Sequence, residues 1–196
     1  TLVGTASDTP EIDALTIGYE YGPVSLPNIA FSMRGAKSIG SGPAGTQYKY
    51  DVASLNSGAS GAVTIPNLEW DSYTISVSGT STGYDIASSC SGPQPQSLAP
   101  GVTLNENLYL LPHTTNSLLV SVTDNATGLA VPGATVDVSR TGYSSSATAD
   151  VCGQVYVGSL VSSSAYTVAV GAPGFATTTT TGVTVGGTSN ISVTLN

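Results

Sequence analysis

Gly61-Ala-Val-Thr-Ile-Pro-Asn-Leu68 and Gly153-Gln-Val-Tyr-Val-Gly-Ser-Leu160 set one pattern twice in the same chain, a glycine and a leucine seven residues apart around a short apolar run. Tyr73-Thr-Ile-Ser-Val77 follows the first copy and Tyr166-Thr-Val-Ala-Val170 the second. A Gly–aromatic pair then closes each, Gly83-Tyr84 and Gly174-Phe175, and the offset between copies stays within 91 to 93 residues throughout. Each half ends on a further alternating strand, expected over Leu104–Leu111 and Ile191–Leu195. A series kept in that order is the mark of a duplicated β-unit.

Around these motifs helical periodicity is missing. Runs such as Leu118-Leu119-Val120-Ser121-Val122 and Ala134-Thr135-Val136-Asp137-Val138 alternate in and out, with Gly, Pro and Asn between them. Short strands at such spacing predict an all-β chain of two tandem immunoglobulin-like sandwiches. The expected division is an N-terminal segment over 1–27 with one extra strand, a first sandwich over 28–112 and a second over 116–196. A length of 196 residues suits two such units.

Composition narrows the functions. Only 8% of residues are charged and the net charge is −8, with Arg34, Lys37, Lys49 and Arg140 the only strong bases. Four scattered bases cannot neutralise a run of phosphates, so nucleic acid is excluded as a partner, and anionic lipid with it. No apolar run approaches the roughly 20 residues of a membrane span. Ser, Thr, Gly and Asn take the place of charge, a surface that suits sugars or close packing in an assembly. The two cysteines, Cys90 and Cys152, fall in different halves, and the sole histidine is His113, so no clustered metal site is formed. A disulfide between them would clamp the halves, and a bridge to another molecule or two buried thiols are its alternatives. The sequons at Asn125 and Asn190 permit N-glycosylation. Together these features predict export, with Thr1 following a removed leader.

The second half resembles a known family. Val122-Thr-Asp-Asn-Ala-Thr-Gly128, Val131-Pro-Gly-Ala-Thr-Val136, the Gly153…Leu160…Tyr166 series and Ala172-Pro-Gly-Phe175 are similar to the carboxypeptidase regulatory-like domain, a relative of transthyretin-like and collagen-adhesin B-type domains. The first half resembles it less strictly, with Leu68-Glu69-Trp70-Asp71-Ser72-Tyr73 in place of a small turn. The resemblance implies a seven-stranded sandwich serving as spacer, surface or accessory module, and it implies no activity. Some relatives carry a Lys–Asn isopeptide crosslink. The second half has no lysine, which leaves Lys37 or Lys49 with Asn105 or Asn107, aided by Glu69.

Residue by residue, packing is the main expectation. Gly133 and Gly153 occupy turns where φ is positive. Leu160, Val168 and Val170 face the core, and Tyr73 and Tyr166 bury their rings with their hydroxyls bonded near a strand end. His113 is expected as a junction residue rather than a catalytic base, and no cofactor is expected. Glu69 and Asp71 flank Trp70, and strand alternation puts both acids opposite a core tryptophan. The competing reading makes Glu69, Trp70 and Asp71 a sugar-contact patch.

Residues 1–27 hold one clean alternation, with Leu15, Ile17, Tyr19 and Tyr21 on one face. That face must be buried, either on the first sandwich or in a neighbouring subunit as a donor strand. The favoured reading is a non-enzymatic structural subunit of an extracellular filament, pilus or surface assembly, with copies of itself as partners. The alternative is a secreted spacer or adhesion module binding polysaccharide or another surface.

Overall fold

The computed structural model describes residues 24–196, so Leu15, Ile17, Tyr19 and Tyr21 lie outside the described residues. Strands account for nearly all regular structure. In the first sandwich these are β1 (Ala30–Gly35), β2 (Ser38–Gly42), β3 (Gly45–Tyr48), β4 (Asp51–Asn56), β5 (Asp71–Ser76), β6 (Tyr84–Ser89), β7 (Gln96–Leu98) and β8 (Leu108–Pro112). A single helical turn, α1 (Gly79–Thr82), precedes β6. The second sandwich comprises β9 (Ser117–Asp124), β10 (Thr135–Arg140), β11 (Tyr143–Thr148), β12 (Gln154–Val157), β13 (Ser163–Gly171), β14 (Thr178–Val185) and β15 (Thr188–Leu195).

The duplication read in the sequence is present in the sheets. The first sandwich has a sheet in the order β4-β1-β5-β7, and the second has β11-β10-β13-β14. In both, the strand entering the sheet is the centre of two antiparallel ladders. The left-handed backbone positions repeat too. Asn28 and Gly133 have φ of 57° and 76°, Gly61 and Gly153 of 75° and 70°, Asn67 and Ser159 of 59° and 56°. A side chain that tolerates αL is placed at most of these turns.

The covering sheets differ. The second sandwich closes with β12-β9-β15, in which β9 runs parallel to β15 from Ser117↔Thr188 to Asp124↔Leu195. The inward positions of β9, Leu118, Val120 and Val122, are sealed, as are Val136, Val138, Val168 and Val170 on the facing sheet. Leu160 and Tyr166 join the same continuous apolar cluster. Among the described residues, the first sandwich has the antiparallel pair β6-β8 opposite its main sheet. Its buried apolar side chains among the described residues are Met33, Tyr73 and Ala87.

The two tyrosines behave alike. Tyr73 donates to the Glu69 carbonyl at 2.7 Å and Tyr166 to the Val161 carbonyl at 3.0 Å, each ring buried and each hydroxyl tied a few residues upstream. An edge-on tyrosine, Tyr50 or Tyr143, packs on each. The closing strand of the first sandwich starts later than expected. β8 begins at Leu108, where its ladder with Ser89 begins, and Leu104 stays outside it and exposed.

Gly153 combines two constraints. Its φ is positive, and a Cβ there would sit 2.8 Å from the Val122 carbonyl and 2.9 Å from both Ala130 Cβ and the Val131 nitrogen. Gly153→Ala is expected to destabilise the second sandwich by about 2–4 kcal/mol in urea unfolding, from backbone strain plus overpacking. Gly128→Ala, with a similar φ and open space around it, is expected to lose only about 1–2 kcal/mol.

Candidate functional site: an interdomain joint and an exposed tryptophan

The turn before β12 is built by one carboxylate. Asp150 Oδ1 accepts the backbone N–H of Cys152 and of Gln154, each at 2.9 Å, and Gly153 supplies the positive φ between them. That turn points Cys152 and Gln154 at β6 of the first sandwich. Cys152 is disulfide-bonded to Cys90, just past the end of β6, with the Cα atoms 4.7 Å apart. The bond spans 62 residues of chain, which in the loop-entropy model is worth about 4 kcal/mol.

Gln154 acts beside it as a surrogate strand. Its side-chain carbonyl accepts the Ser89 N–H at 2.9 Å and its amide donates to the Ser89 carbonyl at 3.1 Å, with both residues buried. One side chain thus satisfies both backbone groups of a residue of β6, the strand that ladders with β8 in the other sandwich.

Asp85 forms the third element, and it is 2% exposed. Tyr156 of β12 donates to Oδ2 at 2.7 Å and the Thr114 N–H donates to the same oxygen at 3.1 Å. His113 Nδ1 lies 2.8 Å from Oδ1. An ionised carboxylate only accepts, so the Nδ1 carries the proton. Burial on its own would raise the Asp85 carboxyl. The hydrogen bonds from His113, Tyr156 and Thr114, with the His113 charge, outweigh it and hold the group below the usual carboxylate range. Burial, with the hydrogen bond to Asp85 and the Asp85 charge behind it, pushes the Tyr156 hydroxyl up against the hydrogen bonds to Thr114 and Ser117. Gly79 passes over the Asp85–His113 pair so closely that a Cβ would collide with both side chains.

Asp85, Ser89, Tyr156 and Gln154 were not singled out in the sequence. Gly83-Tyr84-Asp85 carries no signal of a partner 71 residues away, and His113, read as a junction residue, gave the only hint of where it lies. The expected clamp between Cys90 and Cys152 is formed within one chain.

The second cluster corrects an expectation. Trp70 is 56% exposed, not buried in the core, because β5 starts only at Asp71 and strand alternation does not reach the ring. Lys37 Nζ sits 3.1 Å from the Trp70 ring centroid, covering one face. Glu69 pairs with Lys49 at 2.6 Å and with Lys37 at 3.9 Å. Asp71 accepts the backbone N–H groups of Lys37 and Ser72 at 3.0 and 2.8 Å, which pins the start of β5. The acids are therefore engaged within the chain, and both lysines turn to Glu69 rather than to Asn105 or Asn107. Trp70 still lines an open groove of about 480 Å³ with Ser72, Ser97, Leu98 and Pro100. Asn125 and Asn190 are both exposed, Asn125 just past β9 and Asn190 on β15. Among the described residues no group of three or more potential metal ligands is assembled.

Comparison with known proteins bears on the second sandwich directly. Residues 117–196 match the carboxypeptidase regulatory-like domain. No curated protein matches the chain. Among solved structures it is similar to a Bacteroides uniformis protein described as carbohydrate-binding, at 16% identity and a TM-score of 0.35. The match covers 40% of each chain, so this chain spans well under half the length of that relative. A minor pilin of Streptococcus agalactiae aligns over 95% of this chain and 90% of its own, at 12% identity and a TM-score of 0.31. The shaft pilin of Lactobacillus rhamnosus GG aligns over 87% and 88%, at 13% identity and a TM-score of 0.30. Identities this low concern the fold alone. The regulatory-like sandwich thus begins at β9, and Tyr156, Gln154 and Cys152 are its contribution to the joint.

Asp85→Ala leaves Tyr156, His113 and the Thr114 N–H without their acceptor, and it is expected to cost about 3 kcal/mol in chemical unfolding. Because the folded carboxyl is held below its unfolded value, the wild-type contribution is complete above about pH 4 and is lost as pH falls through the lowered range. Unfolding curves from pH 6 to pH 2 check this: the gap between wild type and variant closes only at the acid end.

Proposed function

We propose that this chain is a structural subunit of an extracellular filament, pilus or surface assembly, in which it serves as a stiff two-sandwich segment. The joint carries the reading. A spacer that only tethers needs a flexible linker, whereas here a covalent bridge, a buried amide pair and a shared carboxylate lock one sandwich to the next. A disulfide between domains favours an oxidising compartment outside the cytosol. The surface of Ser, Thr and Gly with 8% charge supports close packing against further copies, since little repulsion opposes it. Copies join by exchange of Leu15–Tyr21 or face to face. A second reading rests on Trp70, whose half-exposed ring lines a groove with hydroxyl groups and suits stacking on a sugar ring in a surface-adhesion module.

Negative-stain microscopy of the purified chain and of material sheared from producing cells tests the first reading against the second. Threads or ordered arrays of repeating subunits are expected. Monomers at every concentration, together with glycan-array binding that Trp70→Ala abolishes, would instead establish the adhesion module.

A further inference from the structure

A strand at the rim of a sheet offers its outward N–H and C=O groups to any second strand. Folds usually spoil such a rim with charge, proline, a bulge or brevity. The two four-stranded sheets have their rims at β4, β7, β11 and β14. β4 opens on Asp51, and its ladder to β1 slips between Phe31 and Met33. β7 has three residues. β14 meets β13 in a ladder with two slips and holds Gly182 at a φ of 71°. β11 has none of these devices. Tyr143-Ser-Ser-Ser-Ala-Thr148 carries no charge and no proline, and all six residues pair with β10 in one unbroken register.

Which groups face outward follows from the ladder. Ala149, next after β11, donates its N–H to the Ala134 carbonyl at 2.8 Å and accepts the N–H of Gly133 at 2.9 Å, so it bonds towards β10. Antiparallel pairing alternates, which turns the backbone groups of Tyr143, Ser145 and Ala147 to β10 as well and those of Ser144, Ser146 and Thr148 outward. Among the described residues no further strand meets those three. The sequence of the strand also fits itself. Turned about a two-fold axis through Ser145, a second β11 sets Ser144 against Ser146, Tyr143 against Ala147 and Ser145 against its own copy. Tyr143 and Ala147 both lean on the core of their own sandwich, so opposed side chains stay on matching faces. Large then meets small, hydroxyl meets hydroxyl, and no like charges oppose.

We infer that β11 is a pairing edge for a second copy of this chain, joined antiparallel about Ser145 so that the sheet β11-β10-β13-β14 continues from one copy into the next. Ser144 of each copy and Ser146 of the other exchange about four backbone bonds in all. A foreign strand would gain the same backbone bonds, but the matched side chains favour the copy. The contact is small and therefore weak in dilute solution. Each copy carries a charge of −8, so the pairing strengthens as salt screens that repulsion. A two-fold contact closes on itself: it yields pairs, and a thread needs a second contact. The pairing thus goes beyond the assembly reading and names one of the surfaces through which copies meet.

Sedimentation equilibrium and amide exchange by NMR, on the full chain at physiological salt over about a hundredfold range of concentration, test it. Wild type is expected to pass from monomer to dimer, with the amides of Ser144 and Ser146 slowing at least ~10-fold while those of Tyr143, Ser145 and Ala147 hold their rates. The Ser144 and Ser146 side chains are exposed, so Ser144→Lys/Ser146→Lys folds as wild type does. It opposes ammonium to ammonium across the pair and should stay monomeric. Mixing it with Ser144→Glu/Ser146→Glu should restore the dimer. A wild type that stays monomeric with those amides unchanged would overturn the inference. So would dimers that survive the two lysines, or a mixture that does not associate. Threads formed alike by wild type and the lysine variant would overturn it too, and would leave the assembly reading standing.

Discussion

A carboxylate buried between two sheets must be met by donors or it unfolds what surrounds it. Asp85 is met from three sides: Tyr156 from the second sandwich, His113 and Thr114 from the connection. The connection therefore cannot swing without stranding a charge, and β12 cannot part from β6 without taking a donor away. Gln154 extends the same logic to the backbone of Ser89, and the disulfide sets a covalent limit on any opening. Orientation of the two sandwiches is thus fixed by polar groups, while the continuous apolar cluster among the described residues lies in the second one.

This division explains the unequal cores. The second sandwich is a closed seven-stranded unit with a sealed interior. The first is held at β6 by the joint and ahead of β1 by Ser25–Leu26 packed against Gly61. Among the described residues the first sandwich holds the smaller buried apolar set, so loss of the joint should loosen it more than the second.

Much of the fold was legible because β-periodicity and turn chemistry are local. Val168 and Val170 alternate into the core, Gly153 takes the turn, and Tyr73 and Tyr166 bond upstream, all as their spacing demands. Trp70 was misread since alternation assigns a face only inside a strand, and the strand begins one residue later. The candidate joint was half legible. Two cysteines in separate halves suggested a bridge, but Asp85, Gln154 and Ser89 are ordinary residues whose partners lie 65 or 71 positions away. Polar pairing across a domain seam leaves no period in the sequence to read.

A joint of this kind makes the two sandwiches move as one body. Residual dipolar couplings of the oxidised full chain, weakly aligned at neutral pH, measure this directly. Couplings from β1, β4 and β5 and from β10, β13 and β14 are expected to fit a single alignment tensor. Two tensors of different magnitude or orientation, in the oxidised protein, would contradict it.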